Sequence, residues 1–217
     1  MKKDMKKKKD TRKITAILLL LSFAAVGILY AAEGESAPSK EYQVKAAFIY
    51  NFIKFVDWPE ETVGDDSARS ITIGIIGENP FGGAFEAIIK KKIHDKEVVV
   101  KHFGGFAKNS VKYRQDNETK YKYKDEEALK ACQVLFVGPS ENRYCKEIID
   151  IIKDNCVLTV GETRYFLEDG GIVGFVTEEK KVRFGINLIA AERAELTIRS
   201  KLLRLAKRVI KQEERNS

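Results

Sequence analysis

The chain has 217 residues, of which 44% are hydrophobic, and it carries a net charge of +7. This length and composition predict one globular domain or two small ones, with a packed hydrophobic core. The first 31 residues contain eight lysines or arginines and two aspartates, whereas the rest of the chain contains 31 basic and 30 acidic residues. Because nearly all of the basic excess lies in this leader, the charge argues against nucleic acid as a partner.

The beginning of the chain has the three parts of a secretory signal peptide. A lysine-rich start precedes the apolar run Ile14–Leu29 and the small residues Ala31 and Ala32, after either of which we expect cleavage. The apolar run is also close to the minimum length of a membrane span, so an uncleaved anchor is the alternative. In both cases the lysines stay inside, and the rest of the chain is predicted to lie outside the cytoplasm. The predicted organisation is a signal peptide or anchor at 1–31, a flexible lead-in at 32–40, an α/β domain at 41–211 and a tail at 212–217.

The stretch Glu41–Pro59 predicts a helix of about five turns that ends at its proline. Its apolar side chains cover most of the circumference and leave one polar stripe, formed by Gln43, Ala47, Asn51 and Lys54. Such a helix must be covered on more than one side. One interpretation is a helix at the centre of the core. The other is that one face contacts a second chain, through Phe48, Phe52, Phe55 and Trp58.

Strands and helices alternate through the middle of the chain, after a polar loop. The predicted strands are Ile71–Ile76, Glu97–Phe103, Gln133–Val137 and Val157–Val160, and the predicted helices are Ala84–Lys92, Asp125–Ala131 and Glu141–Asp154, the last with Ser140 as its N-cap. This alternation is typical of βαβ units in a parallel sheet. The stretch Gly104–Glu127 is predicted to be an exposed, irregular excursion.

The C-terminal third predicts a short helix or turn, a hairpin and a long helix. They are Glu162–Glu168, the strand pair Ile172–Thr177 and Val182–Asn187, and Leu188–Lys211 with an apolar stripe at 4–3–4 spacing. The fold class is therefore α/β, with a mostly parallel or mixed sheet of about six strands. We expect the long first and last helices to pack together on one face of that sheet.

Three cysteines in an exported chain predict at most one intramolecular disulfide. Cys145 lies on a predicted helix and Cys156 precedes the next strand, so the packing of that helix beside that strand would join them. Cys132 would then be a buried free thiol. The alternative pair, Cys132 with Cys156, would join neighbouring strands.

The sequence predicts no enzyme active site, metal site or cofactor. The two histidines, His94 and His102, have no cysteine or carboxylate at ligand spacing, and the common catalytic motifs are absent from the sequence. Without a nucleophile beside a general base, hydrolytic chemistry has little support.

The segment GENPFGG follows the first predicted strand and has the context of a phosphate-binding turn. Its glycine spacing matches neither of the common nucleotide-binding motifs, and its residues suit a tight turn for steric reasons alone. The alternative is contact with a small ligand through Asn79, Phe81 and Gly82. Because ligands favour the carboxyl ends of strands in such sheets, this edge is the predicted location of a pocket.

Several segments in order resemble one family. They are VKAAFIYNFIKFVDWP, ITIGIIGENPFG, ACQVLFVGPSE, VLTVGE and GGIVGFVTEEKKVRFGINLIAAERAELTIRSKLLRLAKRV. Each segment is modest alone, but their joint order resembles the YfiR (HmsC-like) family over Tyr42–Val209. The chain departs from the pattern in having three cysteines instead of the two-bridge set of some members, and in Lys112–Glu127, which looks like an insertion.

The resemblance implies a periplasmic protein that is not an enzyme. Members of the family repress an inner-membrane diguanylate cyclase by binding its periplasmic sensor region. The cytoplasmic GGDEF domain then stays inactive, and cyclic-di-GMP and biofilm exopolysaccharide stay low. The resemblance also implies a homodimer and disulfides that matter to the fold. The alternative function is a periplasmic small-ligand-binding sensory module.

Overall fold

The computed structural model describes residues 39–59, 70–93 and 95–211. The predicted signal peptide, nearly all of the lead-in, the polar loop after Pro59 and the tail lie outside these residues. The described elements belong to one compact unit, Pro38–Ser217. None of the helices in this part of the chain is long and apolar enough to cross a membrane.

The helices and strands alternate as predicted through the middle of the chain. The helices are α1 (Lys40–Phe55), α2 (Glu86–Ile89), α3 (Phe106–Asn109), α4 (Glu126–Lys130), α5 (Cys145–Ile152), α6 (Leu188–Arg193) and α7 (Ser200–Leu203). The strands are β1 (Val56–Asp57), β2 (Ser70–Ile76), β3 (Glu97–Phe103), β4 (Ser110–Gln115), β5 (Glu118–Tyr123), β6 (Val134–Val137), β7 (Leu158–Gly161), β8 (Val173–Glu178), β9 (Lys181–Asn187), β10 (Thr197–Ile198) and β11 (Arg208–Ile210).

Within the described residues, seven strands form one mixed sheet in the order β11-β9-β8-β7-β6-β2-β3. Neighbouring strands are parallel except in the β8–β9 hairpin, which is antiparallel. β6 and β7 are buried along their whole length, because helices or loops cover both faces of the sheet. The predicted α/β class and mixed sheet are confirmed. The sheet has one strand more than the six predicted, and this additional strand is β11, at one edge of the sheet.

Helix α1 covers one face of the sheet, and the interpretation as a core helix is confirmed. Ala46, Ile49 and Phe52 have no exposed surface, whereas the predicted polar stripe is exposed along its length. The Phe52 ring packs against Phe175 of β8 and Phe184 of β9, with ring centroids 5.8 and 5.0 Å away.

The predicted end of this helix, at Pro59, was wrong by four residues. The helix ends at Phe55, and Val56 and Asp57 are extended and pair with Ile198 and Thr197 of β10. The residue before a proline avoids helical geometry, but here pairing with a distant strand ends the helix earlier than Pro59 alone requires.

A second apolar cluster fills the opposite face of the sheet, beneath α5. It includes Ile148, Ile149 and Ile152 of that helix together with Leu135 and Phe166. The predicted helix from Glu141 begins instead as a 3-10 segment, Pro139–Tyr144, and becomes α-helical at Cys145. Ser140 is therefore not the N-cap of α5, because its hydroxyl is bonded to groups at the strand ends.

The predicted long C-terminal helix, Leu188–Lys211, was wrong. The segment folds as α6, β10, α7 and β11, so it does not supply the long helix that was expected to pack beside α1. Helix α6 ends at Arg193, and Glu195 has a positive φ of 57°, a backbone conformation that stops a helix. The apolar spacing that suggested a helix places Ile198 and Leu202 in the core, while Leu205 is 61% exposed.

The predicted irregular excursion, Gly104–Glu127, contains an antiparallel hairpin of β4 and β5. Its turn residues, Asp116 and Asn117, both have positive φ, as a two-residue turn of type I′ requires. Asp-Asn is a weaker signal for this turn than Asn-Gly, so the sequence did not reveal the hairpin. The prediction of an exposed segment holds for all of β4 except Ser110.

Candidate functional site

The sheet has a topological switch point between β2 and β6. From β2 the chain passes to β3 on one side, and the next strand of the sheet, β6, pairs on the other side. In open α/β sheets, the loops that leave such neighbouring strands at their carboxyl ends diverge and form a crevice where ligands bind. A pocket at this edge, as predicted, would be formed by the loops after β2, β3 and β6.

A cavity of about 290 Å³ lies where these three loops meet. It is lined by Gly77, Glu78, Gly105, Ala107, Lys108, Ser140, Glu141 and Tyr144. These residues come from all three strand ends and from the 3-10 segment that precedes α5. The lining has an acidic group, a basic group, a hydroxyl and an aromatic ring, which together suit a small polar ligand.

The wall of this cavity is held together by Glu141, which is only 5% exposed. One of its carboxylate oxygens, Oε2, accepts a hydrogen bond of 2.8 Å from the backbone N–H of Phe106. The other, Oε1, accepts one of 2.9 Å from the Ser140 hydroxyl, whose oxygen in turn accepts the Glu78 N–H at 3.0 Å. Glu141 and Ser140 therefore connect the ends of β2, β3 and β6.

Gly77 is required for this arrangement. It has a φ of +92°, and a Cβ atom there would lie 2.4 Å from the Ser140 hydroxyl oxygen. Sequence reasoning had placed the ligand contacts a few residues later in the same loop. Neither Glu141 nor Gly77 was found, because the hydrogen bonds that define their roles join segments distant in sequence.

The predicted ligand turn serves the fold in this structure. The Asn79 side chain accepts the Phe81 N–H at 3.0 Å, and Gly82 begins a 3-10 turn. The Phe81 ring is fully buried, 4.7 Å from the ring of Phe136 and 5.3 Å from that of Tyr42. These residues lie on the α1 side of the sheet, and ligand contact through them stays a prediction.

A buried ion pair lies at the same edge of the sheet, beneath the first turn of α1. The ammonium of Lys45 is 1% exposed and contacts the carboxylates of Glu41, at 2.6 Å, and of Glu162. It also lies 4.4 Å from the centre of the Tyr42 ring. Glu162 directly follows β7, so this pair attaches the start of α1 to the carboxyl end of a central strand.

The electrostatics of this cluster favour a neutral Tyr42 and an ionised Glu41. The Tyr42 hydroxyl donates a hydrogen bond of 2.8 Å to Glu162, and burial together with that carboxylate raises the pKa of Tyr42. The hydrogen bond from Lys45 holds the pKa of Glu41 below its usual value. Sequence reasoning missed Lys45, although its place on the apolar side of the helix, away from the polar stripe, indicated a buried charge in need of a partner.

The predicted partner interface is only partly accessible. Phe52 is fully buried and cannot contact a second chain, whereas Phe48, Phe55 and Trp58 are half-buried against the core. The ammonium of Lys201 lies 5.0 Å from the centre of the Phe55 ring. Among the described residues, the indole Nε1 of Trp58 is a buried side-chain donor without a hydrogen-bond partner.

The predicted disulfide is not present, since Cys132, Cys145 and Cys156 are free thiols. Cys145 belongs to the apolar cluster beneath α5, whereas Cys156 packs against the cluster beneath α1. The two are thus on opposite faces of the sheet, which the packing of a helix beside the following strand does not bring together.

A cleft of about 550 Å³ lies at the opposite edge of the sheet, between α5 and β11. Several of its charged side chains pair with one another: Lys146 and Lys153 with Asp150, and Arg208 with Glu168. In the described part of the chain, no group of three or more histidines, cysteines or carboxylates is placed to hold a metal ion.

Comparison with known proteins identifies a family for most of the chain. A family model described as YfiR/HmsC-like matches residues 42–207. No curated protein matches the chain. Among solved structures, a conserved domain protein from Vibrio cholerae O1 biovar eltor is similar, with 13% sequence identity and a TM-score of 0.44. That similarity covers 77% of this chain and 60% of the Vibrio chain.

The buried ion pair predicts strong coupling between Lys45 and Glu162. Lys45→Met leaves two carboxylates without their cation and is expected to lower the free energy of unfolding by roughly 3 kcal/mol. The double substitution Lys45→Met with Glu162→Gln should also lower the free energy of unfolding, as measured by urea denaturation. Its loss should be smaller than the sum of the two single losses by about 1 kcal/mol or more. Lys146→Met, at an exposed pair, is the control and should change stability by less than about 0.5 kcal/mol. Additive single effects would contradict the coupling.

The cysteines predict selective thiol labelling. Burial raises the pKa of both Cys132 and Cys145 to about 11, so at neutral pH both are protonated and shielded. In the native protein, iodoacetamide should modify the half-buried Cys156 first, and the other two only after unfolding, as read by mass spectrometry of peptides. Rapid native labelling of Cys145 would show that the helix α5 opens.

Proposed function

Because the chain belongs to the YfiR/HmsC-like family, we propose that it is a periplasmic regulatory protein that represses an inner-membrane GGDEF diguanylate cyclase. It would bind the periplasmic sensor region of that cyclase and keep cyclic-di-GMP and biofilm exopolysaccharide low. The family match over residues 42–207 is the observation that carries this proposal. The proposal includes export by residues 1–31, a lead-in to residue 40, the domain to residue 211, the short tail and a homodimer.

Repression of this kind requires that the protein bind the inactive state of the cyclase more tightly than the active state. It therefore requires a surface with rigid apolar groups that are partly exposed before binding. Phe48, Phe55 and Trp58 meet this requirement, since the core fixes one side of each ring. Phe52 is buried, packs against the Phe48 ring and is not itself a contact.

The buried ionisable groups support a binding protein and not an enzyme. Lys45 is bonded to Glu41 and Glu162, and Glu141 is bonded to a backbone N–H and a hydroxyl. Groups that are held in this way stabilise the fold, and each has its partner before any substrate arrives.

A second function, small-ligand sensing, is favoured by one observation. The cavity bounded by Gly105, Lys108 and Glu141 lies at the topological switch point, where sheets of this kind bind ligands. Its volume of about 290 Å³ suits a small metabolite. Sensing and repression are compatible, because a ligand bound here could regulate how tightly the repressor binds the cyclase.

Deleting the gene in its native host should raise intracellular cyclic-di-GMP, and the exported chain should restore the low level. Phe55→Asp should fail to restore it, because a charge at a central apolar contact weakens binding by about 2 kcal/mol, or roughly thirtyfold. Cyclic-di-GMP is measured by mass spectrometry of cell extracts, and thermal unfolding verifies that the variant is folded.

Ala47→Asp is the matched control for this experiment. It places the same charge on the same helix but on the exposed polar stripe, and it should repress as the unmodified chain does. A folded Phe55→Asp protein that still represses, or loss of repression by Ala47→Asp alone, would show that the proposed surface is wrong.

For the second function, Ala107→Trp is the informative substitution. Ala107 is exposed at the cavity, so an indole there should fill it without unfolding the protein. A small molecule that copurifies with the unmodified chain, detected by native mass spectrometry, should be lost from this variant. Binding that survives the substitution would place the ligand elsewhere.

A further inference from the structure

The β4–β5 hairpin has two faces that serve different purposes. Paired residues lie on the same face, and successive pairs alternate between faces. The inner face carries Tyr121 and Tyr123, whose rings lie 5.6 and 5.8 Å from that of Phe106. The Tyr123 hydroxyl also donates a hydrogen bond of 2.7 Å to the Gly104 carbonyl. This face anchors the base of the hairpin to the domain.

The outer face has no such role in the fold. It pairs Val111 with Lys122 and Tyr113 with Lys120, so an apolar row runs beside a row of lysines. Val111 is 70% exposed and Tyr113 is 43% exposed. An isolated two-stranded hairpin is only marginally stable in water, and apolar side chains that are exposed on it contribute little to its stability. The stability of the hairpin therefore does not explain why Val111 and Tyr113 are apolar.

The charge of the hairpin is strongly positive except at its tip. Lys120 and Lys122 lie on the outer face of β5, whereas Lys112 and Arg114 lie on the inner face of β4. The acidic residues of the hairpin are Asp116 in the turn and Glu118, which pairs with Gln115 at the tip of the outer face.

We propose that the outer face, formed by Val111, Tyr113, Lys120 and Lys122, binds the anionic headgroup surface of a phospholipid membrane. Tyrosine rings are enriched at the membrane–water interface, and lysines can bury their apolar stems there while the ammonium stays in water. Both cations of the outer face are lysines, which act as flexible point charges, whereas a specific carboxylate on a protein would favour the planar fork of arginine. The contact goes beyond repression of a cyclase and would hold the protein at the membrane where its proposed partner resides.

The test is sedimentation of the compact unit Pro38–Ser217 with phospholipid vesicles, which removes the apolar leader from the measurement. Vesicles of phosphatidylglycerol and phosphatidylcholine in equal parts should bind the protein, and binding should weaken as salt is added. Vesicles of phosphatidylcholine alone should bind it poorly. The double substitution Lys120→Glu with Lys122→Glu should weaken binding roughly thirtyfold or more, since each basic residue near an anionic surface contributes about fivefold.

The matched control is Lys90→Glu with Lys92→Glu, which changes the net charge equally at two exposed lysines outside the hairpin. It should retain most of the binding. Val111→Ser with Tyr113→Ser keeps every charge and should still weaken binding several-fold. Failure of the unmodified protein to bind, an equal loss in the two charge variants, or unchanged binding by the serine variant would each overturn the proposal. Binding to an acidic soluble protein without binding to vesicles would overturn it too.

Discussion

The position of helix α1 depends on the buried ammonium of Lys45. An unpaired charge at 1% exposure would cost several kcal/mol, so the helix is stable only where that ammonium meets both Glu41 and Glu162. One partner lies a single turn earlier on α1 and the other at the end of β7, which fixes both the rotation of the helix and its displacement along the sheet. The aromatic contacts of Phe52 with β8 and β9 then follow from that register. The half-buried rings near the end of α1 are presented at one defined place for the same reason.

The strands and turns that the sequence predicts correctly are those that local patterns determine. β3 has the predicted bounds, and the β8–β9 hairpin and the mixed sheet follow from continuous apolar runs and a turn signal. The errors occur where a distant strand decides the structure. Val56 and Asp57 leave helical geometry to pair with β10, and the same pairing interrupts the predicted C-terminal helix. The helical spacing of Ile198, Leu202, Leu205 and Val209 was real in the sequence, but tertiary pairing overrides such a preference.

The candidate site was predictable only as a location. The expectation of parallel strands predicted a pocket at their carboxyl edge, and the cavity lies there. Its residues were not predictable, because Glu141 gains its role from the Phe106 N–H, which lies 35 residues earlier in the chain. Glu162 is likewise 117 residues from Lys45. The same limit applies to the cysteines, whose separation onto two faces of the sheet is a property of the fold and not of their spacing.

Phe106 belongs to both features that are proposed to bind. Its N–H donates to the carboxylate that forms the cavity wall, and its ring packs against Tyr123 of the hairpin and Tyr144 of the cavity lining. A displacement of the hairpin that moved this ring would also break the hydrogen bond to Glu141, at a cost typical of a buried charged acceptor. A ligand that moved the cavity wall and a surface that shifted the hairpin would therefore act on the same residue. By reciprocity, each would alter the affinity for the other to the same degree.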